Sequence, residues 1–274
     1  TLAIESAFPD IQNEFRNPSM NQAHMENPRI TLTDDRKYYI ISYRNYSRRV
    51  SFNRYYKLIT NPAYKPFNLF KLILRYAIFE ISSQQWSYGT NLYENIASLF
   101  GITLEMFASP LNNVVHQHCS LFQDVDKHFG SIGSFFSLDS ATLIRNETRA
   151  AFCNPPYVPK IMENTVEKCF SLLHEIEHSN KSISMSKSIS KSTRSPGLLL
   201  VMCVPHWSDA SYIQALKKSK YLVGYEVLKK NTYILQEKDA GKTMLARGFE
   251  SLIVLLHSGR ASMPNSVLKF YTDS

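Results

Sequence analysis

Ala150-Ala151-Phe152-Cys153-Asn154-Pro155-Pro156-Tyr157 is the stretch on which the reading of this chain turns. Four apolar residues make a short buried strand, two prolines end it, and a helical pattern over residues 160–178 follows. The prolines fix φ and remove two N–H donors, which leaves the carbonyls around them free to accept. Such a turn suits an exocyclic amine. The Asn154 side-chain oxygen and the Pro155 carbonyl would each accept one N–H, and Tyr157 would stack on the base. With its hydrogens drawn to the acceptors, the amine nitrogen keeps its lone pair facing an incoming methyl, so in-line transfer proceeds largely by positioning. A plain strand-ending turn has the same local sequence.

Outward from this stretch, short apolar runs alternate with helical ones. Strands are expected at residues 102–108, 134–138, 150–153, 198–204, 221–227 and 251–257, and helices at 160–178 and 211–218. Buried strands alternating with helices imply an α/β sheet covered on both faces. Before Gly101 the pattern is helical, with apolar residues at helical spacing over 36–59 and 67–82 and a further helix over 91–100. Residues 1–28 are polar and read as extended or partly ordered, and the Ser/Lys-rich stretch 179–196 reads as a mobile surface loop. The expected division is a helical, basic N-terminal region over 1–100 and an α/β domain over 101–274.

Charge is concentrated in the first of these. The chain carries 31 Lys and Arg against 23 Asp and Glu, a formal charge of +8 in 274 residues. Between residues 29 and 66 lie nine basic side chains (Arg29, Arg36, Lys37, Arg44, Arg48, Arg49, Arg54, Lys57, Lys65), seven tyrosines and only two acids, Asp34 and Asp35. Cations attract phosphate and interleaved rings stack on unpaired bases, so a polyanionic partner is expected there, with Arg44, Arg48, Arg49 and Arg54 as contacts. Helix faces with inward tyrosines would give the same composition.

At 44% hydrophobic and 12% aromatic, the chain can bury a sizeable core, which excludes the disordered, collagenous and mini-protein classes. Its longest apolar runs, at 197–204 and 252–256, are far short of the ~20 residues that cross a bilayer, and no signal-peptide pattern opens it. The expectation is a soluble protein. Four separated cysteines (Cys119, Cys153, Cys169, Cys203) with no CxxC pair read as reduced, intracellular thiols.

Four segments together carry a family resemblance: Phe107-Ala108-Ser109-Pro110-Leu111-Asn112, Phe129-Gly130-Ser131-Ile132-Gly133, Asn154-Pro155-Pro156-Tyr157 and Val204-Pro205-His206-Trp207. In order and spacing the chain resembles the phosphorylated-CTD-interacting factor family of cap-specific adenosine N6-methyltransferases. The match extends from about Phe67, through Arg75-Tyr76 and Trp86-Ser87, to about Leu256. The resemblance implies an α/β, class I (Rossmann-like) methyltransferase domain with a helical N-terminal region. It also implies S-adenosylmethionine as methyl donor, no metal, and the first transcribed adenosine beside an mRNA cap as substrate. RNA would be the partner, and an intracellular place, nuclear or at the site of capping, follows. Carried over by position, Asn154, Pro155, Pro156 and Tyr157 are catalytic. Ser109, Pro110, Leu111 and Asn112, with Phe129, Gly130 and Gly133, line the donor and active-site pocket, and Trp207 is counted with the substrate contacts.

The residues agree with that implication in a general way. Ser109 to Asn112 leave a strand end, where open α/β sheets bind ligands, and Gly130 and Gly133 permit close backbone approach. Asp139 is either an acceptor for ribose hydroxyls or an exposed loop acid. The chain departs from the family in having Tyr157 where Phe is expected, in a longer stretch over 140–150, and in showing no WW-type module.

Two other motifs point elsewhere. His174-Glu175-Ile176-Glu177-His178 matches HExxH, but no Asp, Glu or His follows between 179 and 204, so a zinc protease lacks its third ligand. Gly241-Lys242-Thr243 looks like the end of a P-loop, yet Gln236 stands where its leading Gly belongs. His116, His118 and Cys119 cluster with no further ligand in sequence. The rival functions are therefore N6 methylation of internal RNA or DNA adenines, an RNA-binding relative without turnover, and a zinc hydrolase.

Overall fold

The computed structural model describes residues 27–77, 86–185, 197–237 and 242–259. The extended reading of 1–28 falls outside them save its last two residues, as do 78–82 of the second expected helix and 186–196 of the expected loop. The chain forms two compact units, one before residue 86 and one from residue 86 onward.

In the first unit, β1 (Arg29–Leu32), β2 (Tyr38–Tyr43) and β3 (Tyr46–Ser51) form an antiparallel sheet, followed by α1 (Phe52–Ile59) and α2 (Pro66–Tyr76). The helix expected over 36–59 is thus corrected: only its last eight residues are helical. The segments YYIISY and YSRRVS are rich in aromatic and β-branched residues, which suit a pleated surface better than a helix. Their period is two, with Ile41, Tyr43 and Val50 buried while intervening positions stay open. Tyr43 pairs with Tyr46 across a two-residue turn in which Arg44 takes a left-handed φ of 53°. Pro66 starts α2, whose Leu69, Phe70, Leu72, Ile73 and Tyr76 make its buried stripe.

The second unit is mixed α/β. Its central sheet has the order β6 (Gln117–His118), β5 (Leu104–Glu105), β7 (Ala150–Cys153), β8 (Leu199–Pro205), β12 (Ser251–His257), β9 (Leu222–Leu228). The first four are mutually parallel, and β12 lies antiparallel between β8 and β9. A small antiparallel sheet, β11 (Lys242–Leu245), β10 (Ile234–Glu237) and β4 (Trp86–Tyr88), belongs to the same unit, as do α3 (Thr90–Phe100), α4 (Gln123–Asp126) and α5 (Ser140–Arg145). Residues 86–100, which the sequence groups with the N-terminal region, are therefore built into the second unit. As expected, Gly101 ends α3 with a φ of 63°.

Alternation along the central strands feeds two apolar layers. Ala151, Cys153, Leu200, Met202, Val204, Leu252, Val254 and Leu256 face one layer, closed by α6 (Pro159–Met185) and α7 (Ser211–Lys218). Ala150, Phe152, Leu199, Val201, Cys203, Ile253 and Leu255 face the other, with Tyr93, Ile96 and Phe100 of α3 and Tyr88 of β4. Because both faces are covered, all seven residues of β8 and of β12 are buried. Each such Leu, Ile or Val stabilises the fold by about 1.5–3 kcal/mol relative to exposure.

Two further strand expectations need correction. Residues 134–138 form a 3-10 turn, Phe135–Ser137, whose Phe135 and Phe136 rings pack on Phe107 at 4.7 and 6.0 Å. The strand at 102–108 shortens to two residues because the buried Glu105 carboxylate accepts from the N–H of Val114 and of Val115, the latter at 2.9 Å, which folds the following loop back on the strand. At the other end of the domain, α6 runs past 178 to Met185. Ser179 satisfies its hydroxyl on the Glu175 carbonyl at 2.9 Å, so the first serine of the polar stretch does not break the helix.

Candidate active site

The parallel part of the sheet sets where chemistry can sit. From β5 the chain moves outward to β6, then returns across β5 to β7 and on to β8, so the strand order reverses between β5 and β7. Ligands in open α/β sheets bind outside the carboxyl ends of the strands at such a reversal. The loop holding Ser109 to Asn112 follows β5, the loop at 129–133 abuts β6 through the His118 to Ser131 bridge, Asn154 to Tyr157 leave β7, and His206 and Trp207 leave β8. Four sequence motifs separated by up to a hundred residues are thereby brought to one edge.

Asn154 is half-buried and Pro155 buried. Among the described residues no donor reaches the Pro155 carbonyl, since the residue four positions on, which begins α6, is Pro159 and has no N–H. The Pro156 carbonyl, by contrast, accepts from the Val158 N–H at 2.7 Å. The Tyr157 ring stands edge-on to Phe249, with centroids 5.5 Å apart at 87°. Its hydroxyl lies 3.3 Å from Asn154 Oδ1 and 3.2 Å from the hydroxyl of the buried Tyr88. Behind them, Tyr233 contacts the Ser251 hydroxyl at 2.8 Å and the Phe249 carbonyl at 3.2 Å. Burial holds the Tyr157 and Tyr88 phenols well above their ordinary range, so both are neutral at any working pH. Burial likewise pushes the Cys153 thiol up, and all four cysteines are buried free thiols.

The β5 loop is closed on itself. Asn112 Oδ1 accepts from the Ser109 N–H at 2.7 Å and the Ser109 hydroxyl at 3.1 Å, while Ser109, Pro110 and Leu111 are buried. Half-buried Phe107, Ile132 and Tyr157 pack on the apolar layer and keep part of their surface open. In the neighbouring loop Phe129 is buried, and Gly130 has a φ of 98° and sits where a Cβ would come within 2.9 Å of the His116 carbonyl. That glycine is required by its own chain, whatever else approaches it. Gly133, like Gly130, has positive φ and lies beside Ser131, whose hydroxyl accepts from its N–H at 3.2 Å.

Asp139 is exposed and caps α5 (Ser140–Arg145), its Oδ1 accepting from the Thr142 N–H at 2.7 Å. The Thr142 side chain and that N–H hold its carboxyl below the ordinary range. Trp207 is 39% exposed beyond β8, next to His206, which lies 3.4 Å from Glu250.

The predicted arginines belong to the first unit. Arg44 and Arg49 are exposed, over the Tyr43 and Tyr38 rings at 5.5 and 5.9 Å. Arg48 and Arg54 are half-buried, Arg48 lying opposite Ile41 on the packed side of the sheet with Nη1 on the Ser47 carbonyl at 3.1 Å.

The other motifs take structural places. Glu177 pairs with Lys220 at 2.9 Å and meets the Tyr221 hydroxyl, which also faces His174 Nδ1 at 3.4 Å. Among the described residues no group of three His, Cys, Asp or Glu side chains is placed to hold a metal. His118 is buried in β6, and Lys242 and Thr243 open a strand instead of the helix a P-loop needs. Sequence reasoning missed Tyr88, Tyr233, Phe249 and Ser251, which reach the site from three distant segments with no shared spacing to mark them.

Known proteins bear on this geometry. A family model described as phosphorylated CTD interacting factor 1 WW domain matches residues 54–238, from within α1 to just past β10 and including all four motifs. The chain is 31% identical over 160 residues to the Homo sapiens mRNA (2'-O-methyladenosine-N(6)-)-methyltransferase, an alignment covering 56% of this chain and 22% of that protein. It is 33% identical over 104 residues to the Mus musculus protein of the same name, covering 38% and 14%. The chain thus spans less than a quarter of the length of these curated relatives.

Proposed function

We propose that this chain, which belongs to the phosphorylated CTD interacting factor 1 family, transfers a methyl group to N6 of adenosine in RNA, with the cap-adjacent adenosine of mRNA as its substrate. S-adenosylmethionine supplies an electrophilic methyl, and the second unit acts as a class I, Rossmann-like methyltransferase domain. The observation that carries the reading is the pair of acceptors at the end of β7: the open Pro155 carbonyl and, one residue before it, Asn154 Oδ1. An adenine amine has two N–H bonds and needs both acceptors, whereas a ring nitrogen or a lone hydroxyl leaves one unsatisfied, at a cost of about 1–3 kcal/mol.

The residues present fit a sulfonium donor bearing an adenosine. Phe107, Ile132 and Tyr157 offer part-open apolar surface at the strand-order reversal, and the Asn112 loop stands beside it. Asn154 and Pro155 would hold the target amine while its nitrogen takes the methyl, the donor's S–C bond breaking to leave a neutral thioether, and the proton the amine sheds passes to water past the half-buried Asn154. Phe249 and Tyr157 wall the base, and Trp207 supplies an exposed face for a neighbouring one. The basic, tyrosine-rich first unit holds the strand by its phosphates. The cell compartment that fits is the one where transcripts are capped.

Labelled methyl transfer to a short capped RNA beginning with adenosine, beside its uncapped twin, tests this. Transfer to the capped RNA alone supports it; equal transfer to both keeps the chemistry and removes the cap requirement; donor binding with no transfer leaves an RNA-binding relative.

A further inference from the structure

We infer that Lys217 is a phosphate contact for the RNA strand that follows the target adenosine, with Trp207 and Tyr225 as the aromatic faces on either side of it. This rests on the reading above and deepens it, since it extends the substrate track of that same site.

The edge that carries Asn154 continues past Trp207. Strands β8 and β9 run in the same direction, because both pair antiparallel with β12, where Ser251 is level with Pro205 on one side and with Leu228 on the other. The ends of β8 and β9 therefore share the edge from which Asn154 leaves β7. Along it the Tyr157 ring meets Phe249, the next residue Glu250 pairs with His206, and His206 meets Lys217, whose ammonium lies over the Tyr225 ring. Contacts thus run unbroken from the amine acceptors to β9, all within the second unit. Lys229 and Lys230, both exposed, follow β9 at the same end.

Lys217 is a held cation. It stands half-buried in the last turn of α7, with Nζ 3.4 Å from His206 Nε2 and 5.3 Å from the centre of the Tyr225 ring. An ammonium only donates, so the Nε2 that it meets accepts, and Nδ1 presents its hydrogen to Glu250 Oε2 at 3.4 Å. Neither the imidazole nor the ring cancels the charge. Among the described residues no carboxylate lies within ion-pair distance of Lys217: Glu250 is turned to His206, and Asp209 accepts from the Ser208 hydroxyl at 3.4 Å. Other lysines of this unit are matched, Lys160 with Glu163 and Lys220 with Glu177. Beside this cation Trp207 and Tyr225 are 39% and 43% exposed. A fixed cation between two open rings, with further lysines beyond it, suits a single strand whose phosphates and bases alternate. A small anion would use the charge and leave both rings idle.

Equilibrium binding of labelled RNA to the whole chain, read by fluorescence anisotropy over a salt series, tests the proposal with Lys217→Gln, Lys217→Arg and Trp207→Ala. Two ligands are compared: a cap dinucleotide that ends at the adenosine, and the same cap and adenosine extended by several nucleotides. On the extended RNA, Lys217→Gln is expected to weaken binding roughly three- to tenfold and to flatten the logarithmic salt dependence by about 0.7, as one lost single-strand phosphate contact should. Lys217→Arg is expected to keep most of both, because the charge remains. On the dinucleotide, which lacks that phosphate, Lys217→Gln and wild type are expected to agree within about twofold. Trp207→Ala is expected to weaken the extended RNA with the salt slope unchanged, the mark of stacking. Melting curves establish that each variant is folded. An unaltered salt slope in Lys217→Gln, or an equal loss on the dinucleotide, would overturn the proposal. Methyl transfer on the same RNAs keeps the two readings apart: a wild-type protein that binds the extended RNA through Lys217 yet moves no methyl would overturn the methyltransferase reading and leave the phosphate contact standing.

Discussion

The central sheet of the second unit and the β1 to β3 sheet of the first are both hydrogen-bonded ladders but are stabilised in different ways. In the central sheet every residue of β8 and β12 is buried, and chemistry sits only where the strands stop. In the β1 to β3 sheet the strands are half-open, tyrosines and arginines alternate with core positions, and Ile41, Tyr43 and Val50 alone are fully buried on it. The contrast separates two jobs. A doubly covered sheet gives a rigid edge on which a few polar atoms can be aimed, while a thinly buried one leaves cationic and aromatic surface for a long, flexible anion.

The sharpest way to break this contrast is Asn154→Ala. It should lower methyl transfer by at least about a hundredfold while shifting the melting temperature little, because a half-buried strand-end residue contributes little to packing. Loss of the fold instead would mean that the edge is structural. Next, Leu200→Ala in β8 should cost about 2–5 kcal/mol by denaturant titration, whereas Ile40→Ala in half-open β2 should cost less than about 2 kcal/mol. Similar costs would show that the two sheets do not differ as described.

Gly130→Ala comes third. A φ of 98° and a Cβ 2.9 Å from the His116 carbonyl should together cost about 1–3 kcal/mol in the same titration. On the other side of the comparison, Arg49→Ala should act through the RNA KM and flatten its logarithmic salt dependence by about 0.7, the signature of one lost phosphate contact. The half-buried Arg48 should contribute less to that slope. The smallest effect belongs to Asp139. Its folded carboxyl titrates below the ordinary value, so the cap stabilises α5 above the unfolded pKa and is lost as pH falls through the lowered one. Asp139→Asn should remove that acid-limb slope in a melting series from about pH 5 to 2.

The same contrast explains what the sequence made legible. The runs that became β7, β8 and β12 were visible because burial on both faces leaves no polar interruption, and Asn154-Pro155-Pro156-Tyr157 was visible because two prolines can only end a strand. Tyr38 to Ser51 was misread because a half-open hairpin mixes rings and charges at spacings that also suit a helix face. The two-residue β5 is shorter than its sequence suggests because the apolar residues on either side of Glu105 suit a longer strand, while the burial of Glu105 and its grip on the Val114 and Val115 amides are tertiary facts. Tyr88, Phe249 and Ser251 could not be read at all: each joins the site through pairing of distant strands, and nothing local marks the partner.

The most direct test of the central claim is to digest the capped RNA after reaction with the unlabelled donor and identify the modified nucleoside by mass spectrometry. The account predicts one N6-methylated adenosine at the first transcribed position, absent with Asn154→Ala. A methyl on a ring nitrogen, on a ribose or on any other base would contradict it, since two acceptors at the end of β7 would then be holding no amine.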